Sequence, residues 1–327
     1  MSDSSAVRWL VLHADDFGMN AAVTHGIVDG FSAGLLTSTS LLTNAPAAGL
    51  AVARWRQLEE RRSAGALPSM PRRSRVGDGE APFDLGVHLN LTQGRPLIGP
   101  RYRDELLDEE GRFLPPGGLF RRLLLGAGRW RAAIEQELSA QIEWLLDHCL
   151  TPTHLNGHQY IEMMPVIAQI VPQLARRFSI SYVRAAREPG HWRTSLWPGM
   201  RVAQCGVSLV KQFYAGRSQS RLRSAGLDAA DAYFGTSHAG RIDLALLGRF
   251  LQLSARRHRI EVALHPGREM ADSSADHARA DGWADPLARR RPAELSLLCS
   301  SDLAELLIAG DFRLGRLNVR ARRAAAA

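Results

Sequence analysis

The sequence predicts an α/β fold built as a (β/α) barrel of the TIM-barrel type. Short β-like runs alternate with longer amphipathic segments, which is the pattern of a largely parallel sheet covered by helices. Asp, His and Arg recur where those short runs end, and a parallel barrel gathers such positions on one face. The chain has 327 residues, 45% of them hydrophobic and 23% charged, enough to bury a full core and too apolar for wholesale disorder.

Val7 to His13 is an apolar run that reads as the first strand. Asn20 is placed to cap a helix through about Ala33, with Gly34 closing it, and Leu36 to Leu42 completes a βαβ unit. A helix follows near Ala47 to Leu58. Residues 61–82 are rich in Arg, Pro, Gly and Ser and lack apolar periodicity, so they read as a surface insertion. Asp84 to His88 is the next strand, and Ile134, Leu138, Ile142, Leu145 and Leu146 mark one face of a helix over about 130–148. Thr153 to Asn156 reads as a strand, Val166 to Leu174 as a helix, Ile180 to Arg184 as a strand. Residues 186–240 carry scattered Gly, Ser and Trp and give no element. Ile242 to Leu253 reads as a helix, Ile260 to His265 as a strand, and Leu295 to Leu307 as the last long helix. The expected organisation is one barrel domain over 1–319 and a disordered tail at 320–327.

Lys+Arg total 41 against 33 Asp+Glu, a net charge of +8, yet Lys211 is the only lysine. The arginine clusters, such as Arg61-Arg62, Arg256-Arg257 and Arg289-Arg290-Arg291, are dispersed and form no stripe, so nucleic acid is not an expected partner. The same charge would serve an anionic glycan or peripheral contact with a glycolipid-bearing membrane. Cys149, Cys205 and Cys299 are widely spaced and odd in number, which favours a reducing compartment. The first apolar run stops at His13 and two aspartates, and no stretch reaches the roughly 18 apolar residues of a membrane span, so the expected location is the cytoplasm.

Asp15 and Asp16 follow the first strand, His88 ends the third, His154 to His158 follow Pro152, Arg184 ends the strand from Ile180, and His265 ends that from Ile260. Singly, each has a structural explanation: an Asp pair caps a turn, and a histidine sits satisfied in a core. Jointly, two carboxylates and several histidines at one end of a barrel are costly to bury unpaired, and a divalent cation satisfies them. Trp192, Trp197, Tyr233 and Phe234 could stack on a sugar or pack a long loop.

Four stretches, Ala14-Asp15-Asp16-Phe17-Gly18, Gly86-Val87-His88-Leu89-Asn90-Leu91-Thr92, Thr153-His154-Leu155-Asn156-Gly157-His158-Gln159 and His265-Pro266-Gly267, resemble in order and spacing the YdjC-like carbohydrate deacetylases, the ChbG/HpnK group. The resemblance implies a barrel related to the polysaccharide deacetylases, a bound divalent metal and hydrolysis of the N-acetyl group of an amino sugar, in an oligosaccharide or a glycolipid. It further implies Asp16, His88 and His158 as metal ligands, Asp15 as general base, His265 as general acid, and Arg184, with Asn156, His154 and Tyr160, at the substrate. Mg or Zn is the expected metal, with Mn, Co and Ni also compatible with such ligands.

The chain departs from the family's His-x-Asp-Ser-His-x-His-x-His pattern: Asn156 stands for the Asp, Gly157 for the Ser, and Tyr160 and Glu162 for two histidines. These changes point to an altered substrate. Two other readings stand beside the deacetylase: another metal enzyme on the same His/His/Asp set, such as a non-haem iron oxygenase, and a non-catalytic glycan- or lipid-binding barrel. The sequence leaves the glycan and any homo-oligomer open.

Overall fold

The computed structural model describes residues 8–67, 83–126, 128–190, 202–270 and 282–317. Strand β1, Arg8–Phe17, organises the sheet. It pairs in parallel with β2 (Ser38–Leu41) and with β7 (Arg259–Leu264). The order runs β5 (Tyr182–Val183), β4 (His154–Gly157), β3 (Asp84–Leu89), β2, β1, β7, β6 (Ala232–Phe234), and β8 (Phe312–Leu314) adds to the first residues of β1. Every pairing is parallel. A bridge from Tyr182 to Asp228, just before β6, joins the two edges and closes the (β/α) barrel.

Side chains alternate across these strands, as a pleat requires. Leu10, Leu12 and Ala14 of β1, Leu85, Val87 and Leu89 of β3, Leu155 of β4 and Ile260, Val262 and Leu264 of β7 pack outward with the helices in one hydrophobic core. The inward set differs in kind. His13, Ser38, Ser40, His154, Asn156 and Glu261 face one another inside the barrel through hydrogen bonds and ring contacts. Aliphatic layers usually fill such an interior; here a polar network does, and it leads up to the ends of the strands.

The helices are α1 (Ala21–Ser32), α2 (Ala48–Ser63), α3 (Pro116–Leu125), α4 (Arg131–Asp147), α5 (Ile167–Arg177), α6 (Val202–Ser224), α7 (Leu244–Leu253), α8 (Arg291–Leu298) and α9 (Ser301–Ala309). Asn20 caps α1 as expected, its Oδ1 accepting from Val23 N at 2.8 Å, and Gly34 takes the left-handed conformation, φ 89°, after it. The helix expected over 295–307 is two helices. Ser300 interrupts it by accepting from Leu303 N and so capping a new start. The expected insertion at 61–82 begins inside α2, which runs to Ser63; residues 68–82 lie outside the described residues, as do Trp192, Trp197 and the 320–327 tail. In the stretch without a sequence pattern stand α6 and β6, with Tyr233 and Phe234 buried in the latter.

Gly26 of α1 faces the loop after β7. A Cβ placed on it would stand 2.4 Å from Gly267 Cα and 2.9 Å from Arg268 N, both backbone atoms. Helix propensity favours alanine over glycine by about 1 kcal/mol, whereas overpacking against backbone costs about 1–3 kcal/mol. The clash should win. Gly26→Ala is expected to lower the urea midpoint with an unchanged slope; a raised midpoint would mean that α1 does not hold the His265–Gly267 loop this closely.

Candidate metal centre

Two adjacent aspartates reach one cavity because β1 does not stay regular. Asp16 has φ 69°, and the pairing register with β2 shifts between Ala14 and Phe17. In an undisturbed strand neighbours face opposite sides; a left-handed residue at a bulge re-aims one of them. Gly18, two residues further on, also has a positive φ, 90°, but the decisive residue is Asp16 itself.

Their partners differ. Asp16 Oδ1 accepts from His158 Nδ1 at 3.0 Å and lies 3.5 Å from His88 Nε2, while its Oδ2 accepts from Arg291 at 2.8 Å. Asp15 Oδ1 lies 3.1 Å from His13 Nε2 and 3.2 Å from Asn156 Nδ2; its Oδ2 accepts from Arg184 at 2.8 Å and stands 3.9 Å from His265 Nε2. Both carboxylates are only 3% exposed. Burial alone would raise their pKa values, but Arg184 with His88 and His13 for Asp15, and Arg291 with His158 and His88 for Asp16, hold both well below the usual carboxylate range.

Asp16, His88 and His158 each offer one donor atom, all within 4.8 Å of one another, and all three are buried. Asn156 Oδ1 lies 2.8 Å from His88 Nδ1, which assigns the proton to Nδ1 and turns the Nε2 lone pair toward the Asp16 carboxylate. A lone pair facing a carboxylate oxygen is satisfied by a proton or a cation between them. Accordingly, although burial lowers it, His88 is raised overall by Asp15 and Asp16. His158 Nε2 is buried with no hydrogen-bond partner among the described residues. One carboxylate and two imidazoles with unmet donors fit a divalent cation.

The cavity around them measures about 220 Å³ and is lined by Asp15, Asp16, His88, His158 and His265 together with Tyr160, Lys211, Arg291 and others. Of the four residues expected at the substrate, only Tyr160 lies on this wall. Arg184, Asn156 and His154 are fully buried behind it: Arg184 spans Asp15 and Glu261, Asn156 joins His88 to Asp15, and His154 packs under Gly86 against His13. Chain order concealed others. Arg291, read as part of an arginine cluster, bonds both Asp16 and Asp285; Glu294, one turn further on α8, accepts from His265 N at 2.5 Å and Ile242 N at 3.0 Å. Glu261 could have been found, because a lone carboxylate in the strand Arg-Ile-Glu-Val-Ala-Leu must have a partner; Arg184 and Tyr182 supply it.

Glu162 replaces a family histidine and is 1% exposed, with neither carboxylate oxygen hydrogen-bonded among the described residues. A Cβ on Gly157 would stand 2.3 Å from its Oε2, so the glycine makes room for it. Burial pushes Glu162 up to about 8. A carboxyl raised on folding is protonated in the folded chain while the unfolded chain is ionised, so stability falls as pH rises from about 4.5 to about 8. The cost above that window is on the order of 5 kcal/mol. Glu162→Gln should therefore match the parent near pH 4 and exceed it increasingly toward pH 8 in urea unfolding; a gap independent of pH would refute the buried, neutral acid.

The YdjC-like protein family matches residues 9–309. The chain is 33% identical to a carbohydrate deacetylase of Geobacillus stearothermophilus over 55% of its own length and 62% of that protein's. It is 30% identical to the human carbohydrate deacetylase, covering 79% of this chain and 74% of that one, and 27% identical to one from Vibrio cholerae over 93% of both. Among solved structures, an Enterococcus faecalis protein named for cellobiose-phosphate cleavage superposes with a TM-score of 0.64 at 19% identity, over 95% of this chain and 98% of that one, and shares the fold. With the matched region running through all the strand ends that carry the site, this chain belongs to the YdjC-like protein family.

Proposed function

We propose that the protein is a divalent-metal-dependent hydrolase that removes the N-acetyl group of an amino sugar, as part of an oligosaccharide or a glycolipid, giving acetate and a free amine. The observation that carries this is the division of labour between two adjacent carboxylates. Asp16 is engaged by two imidazoles; Asp15 is engaged by Arg184 and stands beside His265. Relatives named carbohydrate deacetylase support the reaction class.

Asp16, His88 and His158 would hold the cation, Mg or Zn first among those that accept oxygen and nitrogen donors. When bound, it would supply a Lewis acid for the acetyl carbonyl oxygen. Asp15 is ionised at neutral pH and takes a proton from the attacking water. The water oxygen bonds to the acetyl carbon, the carbon–nitrogen bond breaks, and His265 Nε2 delivers a proton to the departing amine. Glu294, holding the backbone N–H of His265, fixes the imidazole's approach. Arg184 and Asn156 keep the Asp15 carboxylate aimed at the cavity, Asn156 doing so while it orients His88.

The non-catalytic and oxygenase readings leave the Asp15–His265 pair without a task. Acetate release from N-acetylated oligosaccharides and glycolipids by cation-loaded protein, lowered on the order of 10²-fold or more in Asp15→Asn, is the expected result. Cation binding without acetate release from any N-acetylated sugar would overturn the proposal. Asn156→Asp should tighten cation binding on the order of 10-fold by making His88 more basic, while setting a second carboxylate beside that of Asp15. Calorimetric titration with Zn²⁺ or Mg²⁺ checks the first effect, and an unchanged affinity would detach Asn156 from the site.

A further inference from the structure

Single apolar side chains at a protein surface are ordinary, whereas several gathered in one place mark a contact. Six large hydrophobic side chains are exposed among the described residues, and the four most exposed belong to two helices. Leu124 and Leu125 of α3 are 55% and 83% exposed, Val210 and Phe213 of α6 51% and 60%. The helices meet through the rings of Phe120 and Tyr214, whose centres are 5.6 Å apart. Leu124 stands one turn after Phe120 and Val210 one turn before Tyr214, so the exposed groups flank that contact. Beneath them, Leu119 and Leu123 anchor α3 in the core, and Tyr214 packs on the cluster of Met163 and Tyr233.

The charge around this patch has one sign. The chain holds 33 acidic residues in 327, one in ten, yet residues 111–134 and 189–227, which contain α3 and α6, hold none. The same two segments carry ten arginines and the lysine. Arg121 and Arg122 are exposed on α3 and Arg217 on α6, and none of the three has a carboxylate partner among the described residues. Exposed arginines elsewhere do find one: Arg177 pairs with Glu143 and Arg268 with Asp29. The Arg217 guanidinium lies 5.7 Å from the centre of the Phe213 ring. A long basic side chain so placed covers an apolar surface with its stem while its head reaches outward.

We infer that the outer faces of α3 and α6 form a docking surface for a bilayer that bears anionic lipids. Leucine and phenylalanine side chains enter the boundary of the acyl chains, and the arginines engage the headgroup phosphates; interfacial segments bind on these two terms. The charge pattern argues against a second copy of the chain as the occupant, because a two-fold contact would set the same basic side chains against one another. Lys211, next in the chain to Val210, lines the cavity, so the docking surface lies at the end of the barrel where the strands finish. This inference does not rest on the deacetylase reading.

Flotation of the full chain with vesicles of phosphatidylcholine, alone or mixed with phosphatidylglycerol, tests it. Binding to the anionic vesicles is expected, and should fall on the order of 10-fold or more for the neutral ones and in high salt. Leu125→Gln with Phe213→Gln, and separately Arg121→Gln with Arg122→Gln, should each weaken partitioning on the order of 10-fold. All four positions are exposed, and an unchanged urea midpoint verifies that the variants keep the fold. Arg256→Gln with Arg257→Gln removes the same charge from an exposed pair that precedes β7, at the opposite end of that strand from His265, and should leave binding unchanged. No binding to anionic vesicles, or an equal loss in this control pair, overturns the inference. So does a dimer in sedimentation that Leu125→Gln with Phe213→Gln dissolves, since a second copy then covers the patch.

Discussion

Two ionised aspartates side by side, both out of water, are the constraint to which the rest of the barrel answers. Each needs a full set of donors, and the donors must come from different strands because neighbouring residues are turned apart by the bulge at Asp16. Arg184 arrives from the end of β5, Arg291 from the start of α8, His88 from β3, His158 from just past β4 and His13 from β1 itself. These arginines then require carboxylates of their own, Glu261 for one and Asp285 for the other. The charge network thus spreads from the cavity into the barrel interior, and a polar interior is its consequence. A buried pair of this kind is a weak source of stability, because desolvation offsets most of the attraction. What it supplies is position.

The outer layer bears the stability. Aliphatic residues on alternate positions of β1, β3 and β7 meet the apolar faces of α1, α4, α5, α7 and α9 in one continuous core. Burial of such side chains gives roughly 1.5–3 kcal/mol each, without any role in the site. The alternation of the pleat therefore separates two tasks along β1 up to its bulge: His13 and Asp15 carry the polar network, Leu10, Leu12 and Ala14 hold the domain together, and Asp16 joins the polar side only because the bulge re-aims it. A carboxylate can sit next to an alanine or a leucine in sequence because the two never share an environment.

Much of this was legible in the amino-acid sequence. Helical periodicity placed α1, α4, α5 and α7 to within a few residues, and the strand ends collected the polar residues that the cavity brings together. What stayed hidden has physical reasons. Helix α6 has little apolar periodicity to reveal it, and β6 and β8 are three residues long, too short to show a period of two; the equally short β5 is legible only within the longer run Ile180 to Arg184. Arg291 and Glu294 carry no local signal, since an Arg and a Glu at the start of a helix look like an exposed first turn; only the tertiary structure buries them. Arg184, Asn156 and His154 read in the sequence as substrate residues and stand behind the cavity wall instead, because depth along a strand is set by the register of its neighbours.

The altered motif shows how a substitution can be absorbed without loss of the machinery. Replacing a histidine by Glu162 introduces a buried acid, and the space for it exists only because residue 157 has no side chain. The two departures are therefore one change seen at two positions. Tyr160, two residues earlier, takes a left-handed conformation with Gln159, φ 64° and 54°, which turns its ring onto the cavity wall where Lys211 covers it. Backbone strain of that kind persists only where surrounding contacts enforce it, and here the Tyr233 hydroxyl and the Gly235 carbonyl do so. The polar network around Asp15 and Asp16 is changed at one member, Asn156, whose Oδ1 still offers His88 an acceptor in place of a carboxylate. Asp15, Asp16, His88, His158 and His265 thus line the cavity with the motif residues kept, while the replacements gather at Asn156, Gly157, Tyr160 and Glu162.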